Sequence, residues 1–314
     1  MKAYVPVSGK GPFPAVLFSH GLGGSRESYA YLGKHWASHG FVSVHVQHAG
    51  TDKRIFSSRL DAAVAMRDAV RNRENLAHRP LDVRFALDRI LEGGGDPDSR
   101  WAGLVDRDRL GIAGHSMGAA TALACPGRLF GERESDGQDL SDRRFRACLA
   151  MSPSSGGPES SRAAYRGFFV PSMHMTGTHD DSPIGGTKRE HRRVPFDSIP
   201  AGVRFLLMFK GLDHMAFSDL RLPADKEWKN MPRLPRRIIG RFFYGAPNRE
   251  GKHDPFFHAM IRMAGTAFWD AFLRMRQETR AWMLDGGFTR DLWPDVTCEI
   301  FSERGMHPCR SIHS

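Results

Sequence analysis

Arg109-Leu110-Gly111-Ile112-Ala113-Gly114-His115-Ser116-Met117-Gly118-Ala119-Ala120-Thr121-Ala122-Leu123-Ala124 is the stretch on which the reading of this chain turns. Its first five residues predict a strand, Met117 to Ala124 predicts a helix of small residues, and between them stands Gly-x-Ser-x-Gly. So sharp a strand-to-helix turn needs glycine on both sides of the serine, since a side chain at either position would strike neighbouring backbone. The turn would lift the Ser116 hydroxyl to the carboxyl edge of a sheet and aim a helix N-terminus at it. The pentapeptide alone is common, so the other parts of a reactive centre must be found elsewhere.

On either side of this segment, short apolar runs alternate with longer amphipathic ones, the pattern of βα units around a mostly parallel central sheet flanked by helices. Strands are predicted at Ala15 to Ser19, Phe41 to Gln47, Arg146 to Met151, Phe168 to Met175 and Val203 to Phe209. Helices are predicted at Tyr29 to His39, Ser57 to Asn75, Pro80 to Leu91 and Phe256 to Met283. At 314 residues the chain could hold two small domains. One α/β domain over residues 1–285 is preferred, with a lid-like excursion at 220–255 and an irregular tail at 286–314.

A serine hydroxyl is a weak nucleophile until a base takes its proton, and the base needs an orienting carboxylate. Downstream of Ser116, the strand ending at Met175 runs into Thr176-Gly177-Thr178-His179-Asp180-Asp181, and the next strand ends in Lys210-Gly211-Leu212-Asp213-His214. Serine, acid and histidine thus follow in chain order, each just past a strand end. His214 is the expected base, Asp180 the expected acid, and Asp181 its fallback. His115 sits beside the nucleophile but points away from it, whereas His179 could line the pocket. The developing oxyanion needs two donors. The N–H of Met117 is one, and the glycine-rich loop His20-Gly21-Leu22-Gly23-Gly24 offers the other, at Leu22.

The run Phe13-Pro14-Ala15-Val16-Leu17-Phe18-Ser19-His20-Gly21-Leu22-Gly23-Gly24, then Ala37-Ser38-His39-Gly40-Phe41, the serine turn and Gly211-Leu212-Asp213-His214 together resemble the α/β-hydrolase superfamily. The branch most resembled groups platelet-activating-factor acetylhydrolases, predicted dienelactone hydrolases and cutinase-like polyester hydrolases. The resemblance covers about residues 11–285 and implies a serine esterase that works through an acyl-enzyme and needs no cofactor. Two departures stand out. Dienelactone hydrolases use cysteine where this chain has Ser116. The acetylhydrolases carry their acid after an earlier strand, where Leu149-Ala150-Met151-Ser152-Pro153 has no carboxylate. A binding or scaffold protein that kept the fold without turnover is the alternative.

Other function classes find less support. Lys and Arg exceed Asp and Glu by 45 to 35, a net charge of +10, yet no nucleic-acid-reading motif accompanies the surplus. The cationic runs Lys188 to Arg193 and Lys229 to Arg241 read as solvated loops. A basic surface could still attract anionic partners, as an adaptor for anionic lipid or nucleic acid would. No apolar run approaches the roughly 18 residues of a membrane span. His253, Asp254 and His258 miss the spacing of paired metal histidines, and no phosphate-binding glycine loop occurs, so neither metal nor nucleotide is expected. A small-molecule ester is the expected partner. Cys125 and Cys148 read as buried thiols, and Cys298 and Cys309 could bridge in an oxidising compartment. Met1 to Pro14 holds no signal-like apolar run, so the chain as written is expected in the cytoplasm, and an upstream signal segment would make it exported.

Overall fold

A computed structural model describes residues 1–56, 62–130, 138–153, 162–182, 184–219, 255–292, 294–302 and 305–308. The expected lid-like excursion, apart from Pro255, lies outside these residues, as do the Lys229 to Arg241 run and Cys309.

The described strands form one nine-stranded sheet. They are β1 (Lys2–Tyr4), β2 (Phe13–Ser19), β3 (Val42–Val46), β4 (Val105–His115), β5 (Phe145–Met151), β6 (Ser172–His179), β7 (Arg204–Asp213), β8 (Val296–Ser302) and β9 (Gly305–Pro308). Their spatial order is β1-β3-β2-β4-β5-β6-β7-β8-β9. Strands β3 through β7 are parallel, while β1, β8 and β9 pair antiparallel at the edges. The mostly parallel sheet expected from the alternating pattern is therefore the observed one.

Period-two alternation assigns each central strand to two cores. Val16 and Phe18 of β2 join Leu149 and Met151 of β5 on one face, under α1 (Ala30–Ser38). Trp36 of α1 packs there against Trp269 with ring centroids 5.8 Å apart. Ala15 and Leu17 point to the other face with Ile112, Cys148 and Ala150. That face is covered by α3 (Arg73–Gly93), which follows α2 (Ala62–Arg71), and by α4 (Met117–Ala124). Val83, Leu87 and Ile90 supply the buried stripe of α3. A sheet sealed on both faces is what makes its strands near-continuous apolar runs.

Three expectations need correction. The helix break expected before Pro80 falls instead at Asn72, whose side chain accepts a hydrogen bond from the Asn75 N–H and caps α3. Pro80 is carried inside that helix, held by the packing of the Val83 stripe. The long C-terminal helix is two, α6 (Pro255–Phe272) and α7 (Gln277–Leu284), after the short α5 (Val194–Ser198). The chain leaves α6 through Met275 in the left-handed region, at φ 56°, a conformation that stops a helix. Finally, the described part of the tail, expected to be irregular, carries regular elements. After α8 (Gly287–Asp291), β8 adds to β7 with Val296 opposite Phe209, and it buries Val296, Cys298 and Ile300.

The connections fix where a site can form. From β2 the chain moves to β3 on one side, then returns to place β4 on the other. The loops leaving β2 and β4 therefore flank the crevice where the winding reverses, the usual ligand position in an open α/β sheet.

Candidate active site

Ser116 follows β4 directly and adopts φ 56°, ψ −119°, off the ordinary regions for a side-chain-bearing residue. Its neighbours explain how the turn is possible. A Cβ on Gly114 would lie 2.1 Å from the Gly118 carbonyl oxygen, and one on Gly118 would lie 1.9 Å from that of Ser19. The two glycines let the turn close on itself and press the start of α4 against the end of β2. The expected oxyanion loop is thereby held beside the serine.

His214 opens the 3-10 turn that follows β7, and its Nε2 lies 3.0 Å from Ser116 Oγ. On the other side of the ring, Nδ1 lies 2.8 Å from Asp180 Oδ1. With Nδ1–H donating to the carboxylate, Nε2 is left to accept the Ser116 hydroxyl proton. Ser116, His214 and Asp180, named from separate strand ends, form one hydrogen-bonded chain. Asp181 turns to solvent and pairs with Arg189 at 2.9 Å. His179 approaches the Gly211 carbonyl at 3.3 Å.

The Asp180 carboxylate is fully buried and richly served. Ser152 Oγ donates to Oδ1 at 2.7 Å, Thr176 Oγ1 donates to Oδ2 at 2.8 Å, and the Arg192 guanidinium lies 3.3 Å away. Burial works to raise its pKa, but the Arg192 charge and the hydrogen bonds outweigh it and hold the carboxyl below its ordinary value. Ser152 directly follows β5. Its hydroxyl reaches the same His214 nitrogen, at 2.7 Å, while Asp180 supplies the carboxylate from the neighbouring strand.

Burial, followed by the Arg192 charge, lowers the His214 pKa despite the pull of Asp180, so the imidazole is neutral in neutral solution. His115 does not face Ser116. Its ring accepts from the Tyr29 hydroxyl at 2.7 Å and donates to the His214 carbonyl at 3.0 Å, bracing the backbone of that residue.

The His20–Gly24 loop has its own support. Arg79, fully buried on α3, donates to Thr121 Oγ1 at 3.0 Å, Thr51 Oγ1 at 2.5 Å, Ser19 Oγ at 3.1 Å and the His20 carbonyl. The Gly24 N–H donates to the Gly21 carbonyl at 3.1 Å, which, across a trans amide, turns the Leu22 N–H to the opposite side. Behind the loop lies a second serine–histidine–aspartate chain. Ser19 Oγ meets His48 Nε2 at 2.9 Å, and His48 Nδ1 meets Asp82 Oδ2 at 2.9 Å. Ser19 is 0% exposed, so no ester can reach it; accessibility, not hydrogen bonding, separates the two serines.

Sequence reading missed Arg192, placing it in a solvated loop, and it missed Arg79 and Ser152 altogether. A lone arginine in a charged run carries no signal of its burial. Of the metal-like trio, His253 and Asp254 lie outside the described residues. His258 stacks on Tyr31 with centroids 3.9 Å apart and donates to the Ala216 carbonyl. No described helix is long and apolar enough to cross a membrane.

A mostly parallel sheet wound about that crevice, with a strained serine leaving β4, is the α/β-hydrolase fold. Residues 2–77 match the family described as platelet-activating factor acetylhydrolase, isoform II, a stretch that carries β1 to β3 and the His20–Gly24 loop. The chain is 25% identical over 315 residues to the platelet-activating factor acetylhydrolase of Cavia porcellus, covering 91% of this chain and 63% of the relative. It is 30% identical over 168 residues to that of Bos taurus, covering 44% of this chain and 34% of the relative, and 29% identical over the same length to that of Canis lupus familiaris. Within the superfamily, then, this chain is similar to the platelet-activating factor acetylhydrolase branch. It spans less than two thirds of the length of these relatives.

Proposed function

We propose that this protein is a serine hydrolase of carboxylic esters. The observation that carries the reading is the unbroken chain from Ser116 through His214 to Asp180, at 3.0 and 2.8 Å, with the serine on a strained turn. In this mechanism His214 takes the Ser116 proton as Oγ attacks the ester carbonyl, and the imidazolium is held by Asp180. The N–H groups of Leu22 and Met117 receive the oxyanion, each worth about 3 to 4 kcal/mol in comparable sites. His214 then protonates the departing alcohol, and a water deprotonated by the same nitrogen releases the acid from the acyl-enzyme.

The similarity to proteins named platelet-activating factor acetylhydrolase supports a short acyl group, acetyl first among them. The chemistry requires neither metal nor nucleotide. The test is to label the protein with a fluorophosphonate, map the modified residue, and measure hydrolysis of p-nitrophenyl acetate, butyrate and octanoate beside platelet-activating factor itself. Labelling at Ser116 with fastest turnover of the acetyl ester is expected. Absence of both labelling and turnover would leave a scaffold on a hydrolase fold. Turnover that survives in Ser116→Ala would end the assignment of the nucleophile.

A further inference from the structure

Arg192 is 0% exposed and lies in the 3-10 turn Arg189–Arg193 that follows β6. Its guanidinium is fastened on three sides. Nε donates to the Asp180 carbonyl at 3.1 Å, and Nη1 donates to the carbonyls of Ser152 and Pro153, both at 3.1 Å. Nη2 is thereby held 3.1 Å from His214 Nδ1. That nitrogen already donates to Asp180, so a fixed positive charge faces the edge of the ring that becomes cationic when His214 takes a proton. Charges this close in a dry site act strongly on one another.

We propose that Arg192 is a positioning residue that, adding to the burial of His214, helps set the working pH of the site: it locks the Asp180 carboxylate in place and opposes positive charge on the imidazole. The inference rests on the assignment of His214 as general base.

The other groups facing His214 do not supply this effect. Asp180, from the end of β6, and Asp213, from β7, favour the charged ring. Asp213 is itself engaged as a cap, accepting from the N–H groups of Met215 and Ala216 at 2.9 Å. His115 of β4 stands with its ring centroid 4.9 Å away, and its pKa is held well below the ordinary value, chiefly by burial. Ser116 and Ser152 are neutral hydroxyls. Among the described groups, Arg192 is the permanent cation in contact with the ring.

The experiment compares wild type, Arg192→Met and Arg192→Lys by kcat/KM on p-nitrophenyl acetate from pH 4.5 to 9. Loss of the charge should move the acid limb up by about one pH unit, read as about a tenfold loss below both limbs. Arg192→Lys should keep its limb near the wild-type position. A uniform drop at every pH with an unmoved limb would overturn the proposal and leave Arg192 a purely structural group. Equal displacement in the lysine variant would also overturn it.

Wild type alone supplies a second reading should Arg192→Met not fold. In ¹⁵N-histidine-labelled protein, the His214 signal, identified by its loss in His214→Gln, should titrate below the ordinary value of about 6.5. A midpoint at or above that value would refute the inference. This titration needs no turnover, so it separates failure of the Arg192 proposal from failure of the hydrolase reading, which fluorophosphonate labelling at Ser116 tests on its own.

Discussion

Asp180 and Asp181 are neighbours in the chain and opposites in environment: Asp180 is fully buried against His214, whereas Asp181 faces solvent in an ion pair with Arg189. Asp180→Asn should therefore lower kcat about 10⁴-fold, since an amide cannot hold the required imidazole tautomer. Asp181→Asn should stay within a few-fold of wild type, because an exposed pair contributes at most about 1 kcal/mol. Steady-state kinetics on p-nitrophenyl acetate decide the matter. The reverse ranking would move the acid to Asp181.

Gly118 packs against the Ser19 carbonyl so closely that a methyl group cannot enter without displacing backbone. Gly118→Ala should cost at least about 3 kcal/mol, at the upper end of overpacking penalties, and should dismantle the turn at Ser116. By contrast, a Cβ on Gly211, at φ 80°, meets nothing within 4 Å. Gly211→Ala should cost only the left-handed backbone penalty of about 1 to 2 kcal/mol. Urea denaturation of the two variants side by side checks the difference.

The Arg79 guanidinium serves four acceptors around the His20–Gly24 loop, and burial lowers its pKa to about 9, still charged at neutral pH. Arg79→Met would strand the Ser19, His20 and Thr51 oxygens without that donor. A loss of about 2 to 4 kcal/mol is expected from unsatisfied buried polar groups. Because the His20 carbonyl belongs to the loop proposed to hold the oxyanion, kcat should fall more than KM rises. Unchanged kcat in a folded Arg79→Met protein would show that the loop holds its shape unaided.

Buried histidines predict how the fold meets acid. Burial, assisted by the Arg79 charge, lowers His20 to about 3; burial lowers His45 to about 4, and, with the Arg204 charge, His174 to about 3. Each is neutral in the folded chain and would gain a proton near pH 6.5 when unfolded. Depressed pKa values mean that the unfolded chain binds more protons, so this stability is complete above about pH 6.5 and is lost progressively toward pH 4 and 3. Three such groups together give a slope of about 4 kcal/mol per pH unit, against a usual total of about 5 to 15 kcal/mol. The urea midpoint followed by circular dichroism should be flat above pH 7 and fall steeply below pH 6. Equal midpoints at pH 5 and pH 7 would contradict the reading.

How far the chain could be read in advance follows from the range of the forces involved. Met117 to Ala124 was legible as a helix to the residue, and the serine turn was legible because its steric demand is written into Gly114 and Gly118, two positions either side of Ser116. His214 and Asp180 were legible as residues just past strand ends, since a parallel sheet collects those ends along one edge. Strand β6, in contrast, begins at Ser172 rather than Phe168, and Pro171 explains the delay: it lacks the N–H that a ladder position requires.

Local pattern alone therefore determined the layered α/β architecture, the strained serine turn and the chain order of the residues that meet it, because alternation, helical spacing and glycine's missing side chain act within a few residues. Tertiary structure decided which of two adjacent aspartates meets His214, that Arg192 is buried instead of solvated, that Ser19 is sealed while Ser116 is reached, and that the tail completes the sheet. Those outcomes depend on desolvation and on charges brought within about 3 to 4 Å from distant parts of the chain, distances that exist only once the chain has folded.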